Sequence, residues 1–401
     1  MEDLRKSIAG KAAACHGEIV EVRRHLHRYP ELAFEEFETA KFIARFLDKE
    51  GIPYRQGIAK TGVVAHIRGK DPGSVTVALR ADMDALPILE KNEVEYRSAI
   101  EGKMHACGHD VHMASLLGTA KILNELRDRF RGTVRLIFQP SEERYPGGAK
   151  VMIEEGVLKD PAPVCILGQH VYPELDAGKA GMKAGNYMAS TDEVFITVHG
   201  RGGHGAIPDR NIDPVLIGAH IITALQQVVS RAAKPSMPTV ISFGRFIADG
   251  KTNVIPDQAK MEGIIRTFDE EWRADIKERI RTMAGKIAES MGARAEVFID
   301  PGYPVLVNDE ALTLRTLEYA RQYLGDSNVE ELELRTTAED FAYYAREIPG
   351  CFYRLGIRNK EKGIDSNLHT AGFDVDEASL ETGMGLMAWI TVNELNKNAS
   401  A

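Results

Sequence analysis

The feature that most constrains the fold is a change of rhythm near Gly185. Before it, short apolar strands rich in β-branched residues alternate with helices. The strands are GVVAHIRG, SVTVALRADMD, TVRLIFQP and PVCILGQHV, and the longest helix is HDVHMASLLGTAKILNELRDRF. Such strands favour an α/β sheet that helices cover on both faces. A chain of 401 residues is also longer than one hydrophobic core usually supports, so two domains are expected.

After Gly185 the pattern follows the order β-α-β-β-α-β. Its segments are TDEVFITVHG, NIDPVLIGAHIITALQQVVSRA, TVISFGRFI, AKMEGIIRTF, EEWRADIKERIRTMAGKIAESMG and ARAEVFID. This order is typical of the ferredoxin-like unit. We therefore predict a mixed-sheet α/β domain formed by residues 1–185 and 301–401. A ferredoxin-like domain, residues 186–300, is inserted into it.

Composition excludes several functional classes. The formal net charge is -9, and Lys and Arg are spread along the chain, so nucleic acid is not an expected partner. We find no signal-peptide core and no apolar run near the roughly 18 residues needed to cross a bilayer, so no membrane association is expected. The cysteines Cys15, Cys107, Cys165 and Cys351 are scattered rather than arranged as a disulfide framework, which predicts a cytoplasmic protein.

Reactive side chains fall at the ends of the predicted strands. The stretch MHACGHDVHMA, residues 104–114, contains a cysteine, an aspartate and three histidines just where a helix begins. The other candidates are Asp82 and Asp84 after one strand, Glu142 and Glu143 after another, His170 at the end of a third, and His369 before the last helix. Sites in α/β proteins form at these carboxyl ends.

Taken singly, these residues also have ordinary structural explanations. Cys107 could be a small buried side chain, the Glu142–Glu143 pair solvated charge, His170 a core histidine and His369 a loop residue. Together they are the donor types that bind divalent transition metals. The proposed ligands are Cys107, His109, Glu143, His170 and His369.

Five ligands are too many for one closed tetrahedral site, and a thiolate can bridge two ions. We therefore predict two divalent ions, Zn, Mn, Co or Ni, about 3.5–4 Å apart, that acidify a water molecule for hydrolysis. A general base is also required. Glu142 and Glu143 should divide the work of base and ligand, and their spacing leaves open which does which.

The chain resembles a family of dinuclear metallohydrolases that includes aminoacylase, hippurate hydrolase, indole-acetyl-amino-acid hydrolase and bacterial carboxypeptidases. The stretches that carry the resemblance span nearly the whole chain in order: RRHLHRYPELAFEE, ALRADMDALP, MHACGHDVHMA, IFQPSEE, GGAKVMIEEGV, VHGRGGHGAIPDRNIDPV, NVIPDQAKMEGIIRTFD, AEDFAYY and DSNLHTAGFDVDE. The resemblance implies that Glu142 is the base, Glu143 a ligand and Asp84 an orienting carboxylate. It also implies that the first domain is catalytic and the inserted domain a lid and dimerisation surface.

Three residues of the inserted domain match substrate-binding positions of that family. His204 matches a histidine that stabilises the oxyanion, often from the partner subunit, and Asn253 and Arg266 match residues near the substrate carboxylate. A guanidinium suits that partner. His204 or Asn253 could instead simply form a turn, and Arg266 could be a surface charge. A homodimer or a dimer-based homo-oligomer is expected.

The chain also departs from the family pattern. The wider family carries a metal-binding histidine at the position of Asp82, so the role of Asp82 is in doubt. The usual QPAEE is QPSEE here. His105, Asp110 and His112 are expected to support the site rather than bind metal.

The resulting hypothesis is hydrolysis of the amide bond of N-acyl amino acids, such as N-acetyl or N-benzoyl conjugates. A carboxypeptidase or dipeptidase acting on small peptides is a close alternative. A non-catalytic binding protein would not need the second carboxylate beside Glu143. A thiol redox protein would need a resolving cysteine near Cys107.

Overall fold

The computed structural model describes residues 1–398, which form two compact units. The larger unit comprises Met1–Gly185, Val307–Glu333 and the chain from Asp340 onward. The smaller unit comprises Asn186–Leu306 and Leu334–Glu339. Residues 399–401 of the predicted first domain lie outside the described residues.

The helices and strands are numbered here in chain order. The α-helices are α1 Glu2–Arg28, α2 Phe37–Lys49, α3 His109–Glu125, α4 Gly148–Glu154, α5 Pro214–Gln227, α6 Glu270–Ser290, α7 Glu310–Leu324, α8 Ala342–Glu347 and α9 Ser379–Asn398. The strands are β1 Tyr54–Ile58, β2 Gly62–Arg68, β3 Thr76–Asp82, β4 Thr133–Gln139, β5 Cys165–Asp176, β6 Ala180–Met182, β7 Gly185–Met188, β8 Asp192–His199, β9 Gly203–His204, β10 Thr239–Ile247, β11 Val254–Ile255, β12 Gln258–Thr267, β13 Arg294–Pro301, β14 Leu306–Asn308, β15 Val329–Glu331 and β16 Gly350–Arg358.

The larger unit is built on a mixed sheet of eight strands in the order β1-β2-β4-β3-β5-β16-β6-β15. Its centre, β4-β3-β5-β16, is parallel, whereas β1, β2 and β6 make antiparallel pairs. Every residue of β3 and β4 is buried, as their continuous apolar sequences predict. The predicted mixed α/β fold class is confirmed.

The smaller unit has a four-stranded antiparallel sheet in the order β10-β12-β8-β13. Alternate residues of β8, Val194, Ile196 and Val198, are buried with apolar side chains of α5 and α6. In order of sequence the strands are 2-3-1-4, with one helix after the first strand and one after the third. This is the predicted ferredoxin-like arrangement.

One helix of the smaller unit corrects an expectation. Among the described residues, the helical stretch Pro214–Ala232, 19 residues long, is apolar enough to cross a membrane by length and composition. The expectation that no run approaches this length was wrong. Ile217, Ile221 and Leu225 of this stretch are buried in the core of the smaller unit, a place where apolar helices are common.

A second correction concerns β5. His170 does not end this strand, because β5 continues to Asp176. Its pairing with β16 extends past His170, which lies opposite Arg354. All four cysteines are buried and unpaired.

Candidate metal centre

Parallel pairing brings three chain segments to one level of the larger unit. Asp82 lies opposite Gln139 in the β3–β4 pair, and Arg80 lies opposite Gly168 in the β3–β5 pair. Asp82 and His170 each lie two residues further along these parallel strands, so they reach the same height in the sheet. Glu142 and Glu143 lie three and four residues beyond the end of β4.

The turn between Cys107 and His109 requires glycine. Gly108 precedes α3 with φ 79°, in the left-handed region that favours glycine. A Cβ on Gly108 would lie 2.4 Å from Cγ2 of Val171, the residue after His170. The close approach of this backbone to β5 places Cys107 beside His170.

The sulfur of Cys107 lies between two imidazoles. Its Sγ is 3.5 Å from Nε2 of His170 and 3.3 Å from Nε2 of His369. Nδ1 of His170 donates to the carbonyl oxygen of Val171 at 2.7 Å, which leaves Nε2 with a free electron pair. Burial, with a smaller contribution from the Arg354 guanidinium, lowers the pKa of His170 and keeps this imidazole neutral, the form that binds metal.

His369 approaches the sulfur from a separate loop. It is in the left-handed region with φ 60°, and its N–H donates to the carbonyl oxygen of Ala106 at 2.8 Å. Its Nε2 lies 3.1 Å from Oε1 of Glu143. The Glu143 carboxylate raises the pKa of His369, with burial opposing it. Cys107, Glu143 and His369 thus form one candidate ligand group.

Asp84 organises the two glutamates. Its Oδ1 accepts the N–H of Glu142 and its Oδ2 the N–H of Glu143, each at 2.9 Å. Oδ1 also lies 3.3 Å from Nδ1 of His109. The Asp84 carboxylate therefore contacts the predicted base, Glu142, and two predicted metal ligands, Glu143 and His109.

His109 tests whether these residues suit a cation. Its ring is fully buried, and its Nδ1 faces Oδ1 of Asp84 at 3.3 Å without hydrogen-bond geometry, so neither nitrogen has a hydrogen-bond partner among residues 1–398. Buried polar atoms are rarely left unsatisfied. Burial lowers the pKa of His109, but the carboxylates of Asp82 and Asp84 outweigh it and raise the pKa to about 10. A divalent cation at His109 would supply the missing partner and neutralise those carboxylates.

The predicted ligands fall into overlapping groups. Ligand atoms of Cys107, His109 and His170 lie within 4.8 Å of one another, as do those of Cys107, Glu143 and His369 and those of His109, Glu142 and Glu143. Cys107 belongs to two of the three groups. Burial and the carboxylates of Glu143 and Glu142 raise the pKa of the Cys107 thiol well above its usual range. A cation bound to the sulfur would displace the proton. The donor set fits two divalent ions.

Asp82 and His112 form a supporting pair. Nδ1 of His112 donates to Oδ1 of Asp82 at 2.6 Å, and the N–H of Val171 donates to Nε2 of His112 at 2.8 Å. Both nitrogens of His112 are therefore engaged within the protein. Asp82 also accepts from Arg80 at 2.6 Å. Where the wider family has a ligand histidine, this chain has Asp82. Its bond to His112 ties the carboxylate to α3.

Asp110 anchors the same helix to α1. It accepts from Nε of Arg23 at 2.7 Å and lies 2.9 Å from Nδ1 of His27. His105 is buried beside it, and burial lowers the pKa of His105 to about 4. Neither nitrogen of His105 has a hydrogen-bond partner among the described residues.

The remaining predicted residues belong to the smaller unit. His204 is exposed on β9, which pairs with β11, and its Nδ1 accepts the N–H of Ala206 at 3.0 Å. Asn253 lies close to it, because Asn253 accepts the N–H of Gly205 at 2.9 Å. Arg266 is half-buried on β12, and its Nη1 is buried without a hydrogen-bond partner among residues 1–398.

One buried carboxylate near the glutamates was not predicted. Glu36 accepts the N–H of Ser141 at 2.9 Å and the hydroxyl of Thr61 at 2.6 Å. Its stretch, PELAFEEFE, contains several glutamates with no feature that singles one out. Only a buried position and contacts from distant segments distinguish Glu36.

The fold and the donor set define a class, the hydrolases with a metal centre at the edge of an α/β sheet. Residues 78–391 match the model of Peptidase family M20/M25/M40. The chain belongs to this family and is a metal-dependent hydrolase.

Relatives of known name agree with this membership. The chain is 42% identical to N-acetylcysteine deacetylase of Bacillus subtilis, over 94% of this chain and 97% of that protein. It is 40% identical to thermostable carboxypeptidase 1 of Saccharolobus solfataricus, over 94% of this chain and 96% of the relative. It is also similar to the crystal structure of a dinuclear metal-binding M20 peptidase from Bacillus subtilis, with TM-score 0.81 and 37% identity, covering 96% of this chain and 99% of that one.

Proposed function

We propose that this protein is an amidohydrolase that removes the acyl group from N-acyl amino acids, with Glu142 as general base. The observation that carries the proposal is the position of the Cys107 sulfur between His170 and His369, beside two glutamates that one carboxylate aligns. The ligands are assigned to Cys107, His109, Glu143, His170 and His369. The ions are drawn from Zn, Mn, Co and Ni.

Bound divalent ions would acidify a water molecule and polarise the substrate carbonyl. Glu142 accepts the proton of the attacking water and returns it to the leaving amine, as a reversible acid and base does. Asp84 fixes the backbone of Glu142 through Oδ1 at 2.9 Å, so the carboxylate needs little reorganisation before it reacts. Glu142 is itself buried, with 6% exposure, in surroundings that strengthen its interactions with charge.

We assign the contacts with the oxyanion and with the substrate's carboxylate to the smaller unit. His204 would stabilise the oxyanion, and Asn253 and Arg266 would bind the substrate carboxylate. Nη1 of Arg266 is buried and has no partner within residues 1–398, which supports this role, because a carboxylate would satisfy it. The smaller unit would act as a lid in a cytoplasmic homodimer.

A substrate panel tests this function. The purified chain would be freed of metal, reconstituted with each of Zn, Mn, Co and Ni, and assayed on N-acetyl and N-benzoyl amino acids beside dipeptides. We expect kcat/KM to be highest for an N-acyl amino acid and activity to vanish with chelation.

A carboxypeptidase or dipeptidase is the second candidate, favoured by the 40% identity to thermostable carboxypeptidase 1. Higher kcat/KM on the dipeptides would select it and reject the N-acyl assignment. Tight ligand binding without turnover on any substrate, with metal bound, would reject both enzymes.

A further inference from the structure

The loop that carries the two glutamates is bound at three successive N–H groups by two buried carboxylates. Glu142 and Glu143 donate to Asp84, and Ser141 donates to Oε1 of Glu36 at 2.9 Å. Asp84 already has an assigned role at the centre. Glu36 has none, although it completes the same set of contacts.

Ser141 needs such a contact because its backbone is strained. It has φ 51°, a left-handed conformation that is unfavourable for a non-glycine residue. Strained residues persist where the surrounding structure determines them. Oε1 of Glu36 also accepts the N–H of Phe34 at 3.0 Å, and Phe34 is left-handed too, with φ 61°. One carboxylate oxygen thus joins two strained turns.

Glu36 is placed for this contact rather than for its own helix. It precedes the first residue of α2, a position whose side chain often caps the helix, yet it accepts no such bond from α2 among the described residues. Its side chain is 0% exposed and its other oxygen accepts the hydroxyl of Thr61 at 2.6 Å. A buried carboxylate is costly, and its three donors here all come from loops or turns.

We propose that Glu36 is a positioning residue that fixes the backbone of Ser141 and thereby aims the carboxylate of Glu142 at its proton. The inference rests on the proposed role of Glu142 as base. Glu36 does not bind metal or substrate in this scheme. Its loss should therefore leave the binding of metal and substrate intact. It should lower the rate of the chemical step, because a shift of about 1 Å in a reacting group can cost about 100-fold in rate.

The test compares Glu36→Ala, Glu36→Gln and a control, Glu394→Ala, in the metal-loaded enzyme. Glu394 is also fully buried in the larger unit, where it accepts from Arg315 at 2.8 Å. We expect Glu36→Ala to lower kcat about 10- to 100-fold, with KM and metal content unchanged. Glu36→Gln should stay within about threefold, because its amide oxygen can accept both N–H groups and the Thr61 hydroxyl can turn to accept its NH₂. Glu394→Ala should lower thermal stability and retain kcat.

Full kcat in Glu36→Ala, or loss of metal together with kcat, would overturn the inference. Failure of Glu36→Gln to restore the rate would do the same. If Glu36→Ala does not fold, Thr61→Val serves instead, with a several-fold fall in kcat expected and an unchanged kcat contradicting the proposal.

Glu142→Gln, measured alongside, tests the role of Glu142 as base separately from the role of Glu36. An active Glu142→Gln rejects the base assignment itself. An inactive Glu142→Gln beside a fully active Glu36→Ala rejects only the role of Glu36.

Discussion

The two units present their proposed functional side chains in different ways. In the larger unit, three of the five proposed ligands, Cys107, His109 and His170, are buried, with 7%, 0% and 5% exposure, while Glu143 is half-buried and His369 is exposed. In the smaller unit, His204 and Asn253 are exposed, on a two-residue strand and its neighbouring turn.

The difference corresponds to the chemistry assigned to each set. Cations need several donors fixed at short distances, and a packed sheet edge supplies that arrangement before the ion binds. Groups that contact the substrate must remain reachable. Loops and short strands on a stable scaffold allow this. The larger unit is therefore expected to govern metal content and proton transfer, and the smaller unit to govern contacts with the substrate and its oxyanion.

The largest effect is expected at Glu142. Glu142→Gln keeps the shape of the side chain and removes its basicity, so kcat should fall about 10³-fold or more while both ions stay bound. Metal analysis with steady-state kinetics measures both. The exposed Glu154→Gln on α4 is the control and should be fully active. Activity above a tenth of wild type in Glu142→Gln would show that Glu142 is not the general base.

A smaller loss is expected at His204. His204→Asn should lower kcat about 10²- to 10³-fold, the range for removal of one oxyanion donor, with unchanged metal content. His199→Asn, in the same unit, is the matched control. Release of metal from His204→Asn would break the proposed division between the units. Recovery of activity in mixed dimers of Glu142 and His204 variants would extend that division across subunits.

Burial of the Glu36 carboxyl group should make the stability of the protein depend on pH. Burial, with a further contribution from Asp84, raises the pKa of Glu36 from 4.5 to about 7, although its hydrogen bonds oppose the shift. Between pH 4.5 and about pH 7 the folded state binds more protons at Glu36 than the unfolded state does. The free energy of unfolding should therefore fall as pH rises through this range. Glu36→Gln does not titrate. Relative to it, the wild type should lose at most about 3 kcal/mol between pH 4.5 and pH 8. Urea denaturation at fixed metal concentration measures this difference, and parallel curves for the two proteins would contradict it.

The smallest effect is expected at Arg266. Arg266→Lys keeps the charge but loses the two-pronged guanidinium, so KM should rise about tenfold with kcat nearly unchanged. Arg245→Lys is the control, because Arg245 is an exposed arginine on the neighbouring strand, paired with Glu262 at 3.0 Å. An equal change in both variants would assign Arg266 to surface charge.

Much of the fold was predictable because its signals are local. Continuous apolar strands predicted the sheet of the larger unit, and the order of six elements predicted the ferredoxin-like unit. The end of β5 was not predictable, because pairing with β16 beyond His170 extends the strand through a partner distant in sequence. The apolar length of Pro214–Ala232 was underestimated because Gln226, Gln227, Ser230 and Arg231 interrupt the run, although the stretch is apolar on average.

The candidate site divides in the same way. The sequence by itself determined which residue types are present and that they follow strands, because metal donors and acid–base groups are chemical identities carried by single residues. Tertiary structure alone decided that His112 has both nitrogens engaged, that Asp82 accepts from His112 and Arg80, and that Glu36 accepts from Ser141. The reason is physical: hydrogen bonds between buried groups depend on distance and direction, which only the packing of remote segments fixes.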